Sequence, residues 1–150
     1  MQHGFIKVGA AVPLVSVADP AYNVEQLITL AHRAHEKGAE VTVFPELCIT
    51  GYTCGDLFTQ QTLLQETEVA IAHFAEATKV YDNIYILGAP IYVCGALYNC
   101  ALVLQQGCIL GIVPKCYIPN YGEFSERRWF TTGYNLRMED NIRYAGQSVH

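Results

Sequence analysis

The period of the apolar positions changes along the chain, and each change marks an element. Phe5-Ile6-Lys7-Val8-Gly9-Ala10-Ala11-Val12 is almost continuously apolar up to Pro13, as expected of a strand buried on both faces. Val24, Leu27, Ile28 and Ala31 then recur at helical spacing. Asn23 is the expected N-cap of that helix, and Gly38 suits the left-handed position just past its end. Val41-Thr42-Val43-Phe44 is strand-like again, which predicts a βαβ unit whose crossover favours a parallel pair. A second helix is predicted from Leu63, Leu64, Ala70, Ile71, Phe74 and Ala75, with a break near Asp82-Asn83.

Beyond that break the pattern turns to strands over 84–87, 90–93, 97–104 and 108–113. Gln105-Gln106-Gly107 reads as a tight hairpin turn between the last two, so antiparallel pairing is expected beside the parallel unit. The sum is an α/β chain with a mixed sheet faced by helices on one side. Residues 115–133 have no clean period but concentrate Tyr117, Asn120, Tyr121, Glu123, Glu126, Arg127, Arg128 and Trp129, a composition typical of loops that carry sites. The stretch 142–150 offers no helix or capping segment that would close the fold. No repeat, low-complexity stretch or linker divides the chain, so residues 1–150 are expected to form one domain.

Composition narrows the function classes. With 51% hydrophobic and 15% charged residues over 150 positions, most of the chain packs into one core. A formal charge of -5 supplies no basic field, which argues against nucleic acid or an anionic membrane as partner. No apolar stretch approaches the roughly 18 residues of a membrane span. The first residues lack the basic, apolar and small-residue regions of a secretion signal, so a cytoplasmic protein is expected. The six cysteines, at 48, 54, 94, 100, 108 and 116, lie in apolar runs or loops and read as reduced thiols. They make no Cys-x-x-Cys and no cluster with the five histidines, so no metal site is expected. His32 and His35 share a helical face but read as ordinary surface histidines.

Two charged residues stand apart. Glu46 follows the strand ending in Phe44-Pro45, and Lys115 follows Gly111-Ile112-Val113-Pro114. Each is released from a strand end by a proline, which has no N–H to continue the ladder, at the edge where α/β folds build their sites. Between them, Leu47 to Asp56 form a loop with Gly51 and Gly55 that suits the rim of a pocket. A carboxylate and an ammonium held together in a poorly solvated site keep each other charged. The carboxylate can take a proton from a nucleophile, and the ammonium can stabilise the oxyanion formed at a carbonyl. On spacing alone the alternatives remain open: a helix-capping or surface-paired glutamate, and a solvated loop lysine.

Two segments reach further. Phe44-Pro45-Glu46-Leu47-Cys48-Ile49-Thr50-Gly51-Tyr52 through Phe58, and Val113-Pro114-Lys115-Cys116-Tyr117-Ile118-Pro119-Asn120-Tyr121-Gly122-Glu123-Phe124-Ser125-Glu126-Arg127-Arg128-Trp129-Phe130, resemble the glutaminase domains of glutamine-dependent NAD synthetases. These domains form a branch of the nitrilase, or carbon-nitrogen hydrolase, superfamily. The first segment fits many members of the superfamily. The second is closer to the synthetase branch, and the resemblance extends over essentially all 150 residues. It implies an αββα sandwich with a mixed sheet, of which this chain holds the N-terminal part.

The resemblance also implies roles. Glu46 becomes the general base of a Glu-Lys-Cys triad that hydrolyses the side-chain amide of glutamine, and Lys115 the cation that stabilises the oxyanion. Glu123 matches a second acidic residue that orients the lysine, and Tyr121 matches a tyrosine beside the bound glutamine. Ser125 departs from the tyrosine more usual at its position. No cysteine here matches the family's nucleophile. Cys116 is adjacent to Lys115, and neighbours in an extended segment point opposite ways, while Cys48 and Cys54 would be reactive thiols only if accessible.

The chain is therefore expected to be truncated at its C-terminal end and inactive alone. No cofactor is expected for the glutaminase part. ATP and magnesium belong to a C-terminal synthetase domain that uses the ammonia, and a homo-oligomer is implied. A half-sandwich should leave an exposed apolar sheet face prone to self-association. The rival readings are a stand-alone amidase of the superfamily and a non-catalytic binding or assembly module.

Overall fold

In the computed structural model, residues 4–136 and 141–149 are described. The chain order is β1 (Val8–Ala10), α1 (Pro20–Glu36), β2 (Val41–Val43), α2 (Gln61–Thr78), β3 (Ile84–Val93), β4 (Ala96–Gln105), β5 (Cys108–Pro114), β6 (Ile142–Tyr144) and β7 (Gln147–Val149), with short 3-10 turns at Gly55–Thr59, Glu126–Arg128 and Gly133–Asn135. The first five strands form one sheet in the order β1-β2-β3-β4-β5. β1, β2 and β3 run parallel, and β3, β4 and β5 pair antiparallel, as the βαβ pattern followed by hairpin signals predicts. No described helix is long and apolar enough to cross a membrane.

Both helices pack on one face of the sheet. Val24, Leu27, Ile28 and Ala31 of α1 and Ala70, Ile71, Phe74 and Ala75 of α2 lie buried with Tyr85 and Leu87 of β3 and Leu102 and Leu104 of β4. Phe74 meets Phe44 and Tyr85 edge-on at 6.0 and 5.4 Å, an arrangement that aligns ring edges with ring faces. Among the described residues, the opposite face has no such cover. Val8, Val43 and Val113 remain 66%, 43% and 59% exposed, which agrees with the open apolar face expected of half a sandwich.

Several boundaries differ from the sequence reading. β1 spans three residues, and Phe5, Ile6 and Val8 are exposed rather than buried, because β1 is an edge strand whose outer face is bare. Asp19, not Asn23, caps α1: its carboxylate accepts from the Tyr22 N–H at 3.0 Å, and Pro20 takes the first helical position, where a missing N–H costs nothing. Asn23 is fully buried instead and laces loops together, accepting from the Ser16 N–H and donating to the Ser16 and Ile49 carbonyls at 2.7 and 2.9 Å. The two strands expected at 84–87 and 90–93 are one strand, because Pro90 sits within the β3–β4 pairing opposite Asn99. Residues 142–149 do help close the fold: β6 and β7 pair, bury Tyr144 and Val149, and dock through the Gln147 side chain, which accepts from the Ile109 N–H at 2.9 Å. His35 is tied to Asn83 at 2.7 Å, and His32 lies edge-on to Tyr81.

Gly88 of β3 sets the path of the chain after β2. A Cβ there would lie 2.7 Å from the Pro45 carbonyl oxygen and 2.8 Å from the Glu46 carbonyl carbon, so the loop can cross β3 only over a residue without a side chain. The loop then folds back on itself, with Leu47 at positive φ and its carbonyl accepting from Thr50 and Gly51. Gly88→Ala should destabilise the protein by roughly 1–3 kcal/mol or more, because backbone rather than a flexible side chain must yield. Urea denaturation checks this, and a midpoint equal to wild type would show that the crossing is loose.

Candidate active site

Glu46 and Lys115 come from opposite sides of the sheet's antiparallel half. Glu46 leaves β2 across Gly88, and Lys115 directly follows β5 with its N–H donated to the Asn99 carbonyl of β4 at 2.8 Å. Lys115 Nζ donates to Glu46 Oε1 at 2.6 Å. The Asn99 side-chain amide also donates to that same oxygen. Asn99, almost fully buried, thus holds the backbone of one partner and the carboxylate of the other. Nothing in its sequence pattern singled it out, since an asparagine inside an apolar strand reads as a packing irregularity.

A second carboxylate completes the arrangement, and it is Glu126. Lys115 Nζ donates to Glu126 Oε1 and Oε2 at 3.0 and 2.9 Å, and the Tyr52 hydroxyl donates to Oε1 at 2.6 Å. The Glu126 side chain is only 4% exposed. The sequence reading expects Glu123 to orient the lysine; the contact observed is with Glu126. Glu123 is exposed and lines a small cleft with Tyr52 and Glu126. The physical reason lies in the short turn Glu126–Arg128: the Glu126 carbonyl accepts from the Trp129 and Phe130 N–H groups, which turns its side chain inward, while Glu123 sits three residues earlier on the rim. The available signal was the run Glu126-Arg127-Arg128-Trp129-Phe130, in which one acid precedes two buried or half-buried aromatics.

The electrostatics follow from the partners. Partial burial pushes the Lys115 ammonium down, but the hydrogen bonds and charges of Glu46 and Glu126 outweigh it and hold the pKa above the ordinary lysine value. Burial raises the Tyr52 phenol, helped by its hydrogen bond to Glu126 and the charges of Glu46 and Glu123, so it stays a donor at any ordinary pH. The trio sets two carboxylates against one ammonium, which leaves Glu46 beside a committed cation.

Lys115 stands between two clefts. One, about 360 Å³, is walled by Val43, Glu46, Gly88, Asn99 and Val113 and opens on the uncovered sheet face. The other, about 670 Å³, is lined by Cys116, Tyr117, Tyr121, Arg127 and Phe130. Cys116 borders the second and Glu46 the first, in keeping with the alternation expected of successive residues. Tyr121 is exposed, its ring edge-on to Phe124 at 5.8 Å. The thiols of Cys48 and Cys54 are buried rather than accessible, and burial pushes Cys48 and Cys100 up to about 12, which makes them inert. All six cysteines are free, and no group of three or more potential metal ligands occurs among the described residues.

Comparison with known proteins shows what the chain is similar to. The carbon-nitrogen hydrolase family matches residues 8–143. The chain is 36% identical over 148 residues to a glutamine-dependent NAD(+) synthetase of Mycobacterium tuberculosis, covering 99% of this chain and 22% of that protein. It is 36% identical over 118 residues to the enzyme of the same name from Aquifex aeolicus, covering 79% of this chain and 20% of that one. The chain thus spans about a fifth of the length of the curated relatives it matches. The crystal structure of a glutamine-dependent NAD(+) synthetase from Cytophaga hutchinsonii aligns with a TM-score of 0.86 at 28% identity, over 96% of this chain and 24% of that one. An amidase from Nesterenkonia sp. aligns with a TM-score of 0.75 over 99% of this chain and 55% of that one, but at 18% identity it shows a shared fold only.

Removing the cation should expose what it compensates. Lys115→Met leaves Glu126 buried without a counter-charge and should cost about 3–5 kcal/mol, most of it recovered in Lys115→Met/Glu126→Gln. Urea denaturation of both variants at neutral pH tests this. Because Lys115 is held above its unfolded value, its contribution is fully present below about pH 10.4 and is lost as pH rises through the folded value. The gap between wild type and Lys115→Met should therefore narrow in alkaline solution.

Proposed function

Because the chain belongs to the carbon-nitrogen hydrolase family, we propose that it is the N-terminal part of a glutaminase domain within a glutamine-dependent NAD synthetase. The observation that carries this reading is the 2.6 Å contact between Glu46 and Lys115, backed by the buried Glu126. In it, Glu46 is the general base and Lys115 the oxyanion-stabilising cation, while Tyr121, which lines the cleft on the other side of Lys115, bounds the glutamine site from that side. Glu126, rather than Glu123, orients Lys115.

Glu46 Oε1 already accepts from Lys115 and Asn99. Its other oxygen is the one left to take a proton. A thiol gives its proton to Glu46 as sulfur bonds to the amide carbon, and the carbonyl oxygen becomes an oxyanion near Lys115. The C–N bond then breaks, and the leaving nitrogen takes the proton back from Glu46 and departs as ammonia. Water, deprotonated by Glu46, attacks the thioester, releasing glutamate and the thiol. The buried Cys48, Cys54 and Cys100 are unsuited to this role, Cys94 lies in the turn between β3 and β4, Cys108 opens β5 at the end opposite Lys115, and Cys116 borders the cleft away from Glu46. The thiol is therefore expected from further sequence, packed over the open sheet face as the second half of an αββα sandwich.

In the complete protein, ammonia would pass to a synthetase domain that uses ATP and magnesium to amidate nicotinic acid adenine dinucleotide. The length of the relatives supports such a domain, since this chain matches only about a fifth of them. Six free thiols fit a reducing compartment such as the cytoplasm. The glutaminase part itself needs no cofactor in this scheme. A homo-oligomer remains part of the proposal.

A stand-alone amidase is the second reading, and the likeness of the fold to the Nesterenkonia amidase is what favours keeping it. Full-length protein given amide-15N glutamine, nicotinic acid adenine dinucleotide, ATP and magnesium separates the two. The synthetase reading expects 15N in the amide of NAD by mass spectrometry. Labelled ammonia without labelled NAD, on any supply of ATP, would favour the amidase.

A further inference from the structure

The loop after Glu46 and the loop after Lys115 are fastened together outside the site by a second set of contacts. Asp56, in the 3-10 turn Gly55–Thr59, accepts three hydrogen bonds. Arg128 Nε and Nη2 reach its two oxygens at 2.7 and 2.9 Å, and Trp129 Nε1 reaches Oδ1 at 2.9 Å. The fork of a guanidinium on a carboxylate fixes orientation as well as distance. These donors hold the Asp56 carboxyl well below the usual carboxylate range, so the clasp stays ionised in mildly acidic solution. Beneath it, the Trp129 and Phe130 rings pack on Phe58 of the same turn at 5.9 and 4.9 Å.

An exposed ion pair contributes little to stability by itself. Its place is what matters. Arg128 and Trp129 lie two and three residues after Glu126, and the N–H of Trp129 is bound to the Glu126 carbonyl at 3.0 Å. Glu126 therefore sits between two attachments to the same neighbouring loop: its own side chain to Tyr52, and the Arg128-Trp129 pair to Asp56. We propose that Asp56, Arg128 and Trp129 are positioning residues that lock the turn bearing Glu126, and through Glu126 keep the Lys115 ammonium aimed at the carbonyl oxygen. This rests on the reading of Lys115 as the oxyanion-stabilising cation, and it adds to that reading a group that touches neither Lys115 nor substrate.

The test uses the full-length protein with Asp56→Asn and Arg128→Lys, each of which removes the fork while keeping similar size. The kcat for ammonia release from glutamine should fall roughly 10- to 100-fold, the scale associated with an ångström of misplacement, with KM little changed. The alkaline limb of the kcat profile should move to lower pH, because a displaced Glu126 no longer helps hold the Lys115 proton. Competitive acetylation across pH, read at Lys115 by peptide mass spectrometry, should show the same downward shift in its pKa. If Asp56→Asn proves poorly folded, Arg128→Lys, which keeps the charge, decides the matter. Unchanged kcat and an unmoved alkaline limb would overturn the proposal, as would a lowered melting temperature with both unaltered. If wild type releases no ammonia from glutamine, the glutaminase reading fails, and the acetylation experiment alone still decides whether the clasp positions Lys115.

Discussion

Glu126 is a carboxylate with almost no access to water, and the rest of the site follows from the need to compensate it. An ionised carboxylate buried without a partner costs several kcal/mol even after local relaxation. Lys115 supplies the counter-charge through two hydrogen bonds and Tyr52 supplies a third. With Nζ committed to Glu126 and only partly exposed, Glu46 meets a cation that is fixed in place rather than one drawn from solvent. A base beside a fixed cation differs from a surface ion pair in kind: it is organised before any substrate arrives.

The sheet makes that meeting possible at the limit of reach. β2 and β5 are separated by three strand spacings, about 14 Å, near the most that an extended glutamate, one hydrogen bond and an extended lysine can span. The turn after Pro45 shortens the gap by crossing β3 over Gly88, where no side chain stands in the way. Asn23 secures this crossing loop from the helix side by its bond to the Ile49 carbonyl, and Asn99 secures its far end by its bond to Glu46. Both asparagines are buried polar residues with satisfied amides, and both serve to hold irregular backbone or a charged group at the sheet edge. The face beside Glu46 leaves Val43 and Val113 exposed, which suits a site that lies between two layers.

The sequence was informative where one side chain decides the outcome locally. The helical spacing of Val24, Leu27, Ile28 and Ala31, the hairpin at Gln105 to Gly107 and the proline ahead of Glu46 each act within a few residues and are found in place, whereas Pro114 lies inside β5 and Lys115 still bonds to β4. It was misleading where the deciding partner is distant. Asn23 looked like a cap because its neighbours are helical, yet its bonds go to Ser16 and Ile49. Pro90 looked like a strand break, yet its missing N–H falls within a long pairing that the flanking residues sustain. Glu123 and Glu126 are both plausible partners for a lysine on spacing alone. The fold of the turn at Glu126–Arg128, itself fastened to Asp56, decides between them.

In the proposed reaction Glu46, held by Lys115 and Asn99, is the base that turns a thiol on the amide of glutamine. The most direct measurement is single-turnover ammonia release from glutamine by the full-length protein and its Glu46→Gln variant, which keeps shape and hydrogen bonding but cannot accept the proton. The account predicts a loss of about 10²–10⁴-fold in the rate of thioester formation, the usual contribution of a positioned acid or base, with glutamine still bound. A Glu46→Gln protein that releases ammonia at the wild-type rate would contradict it.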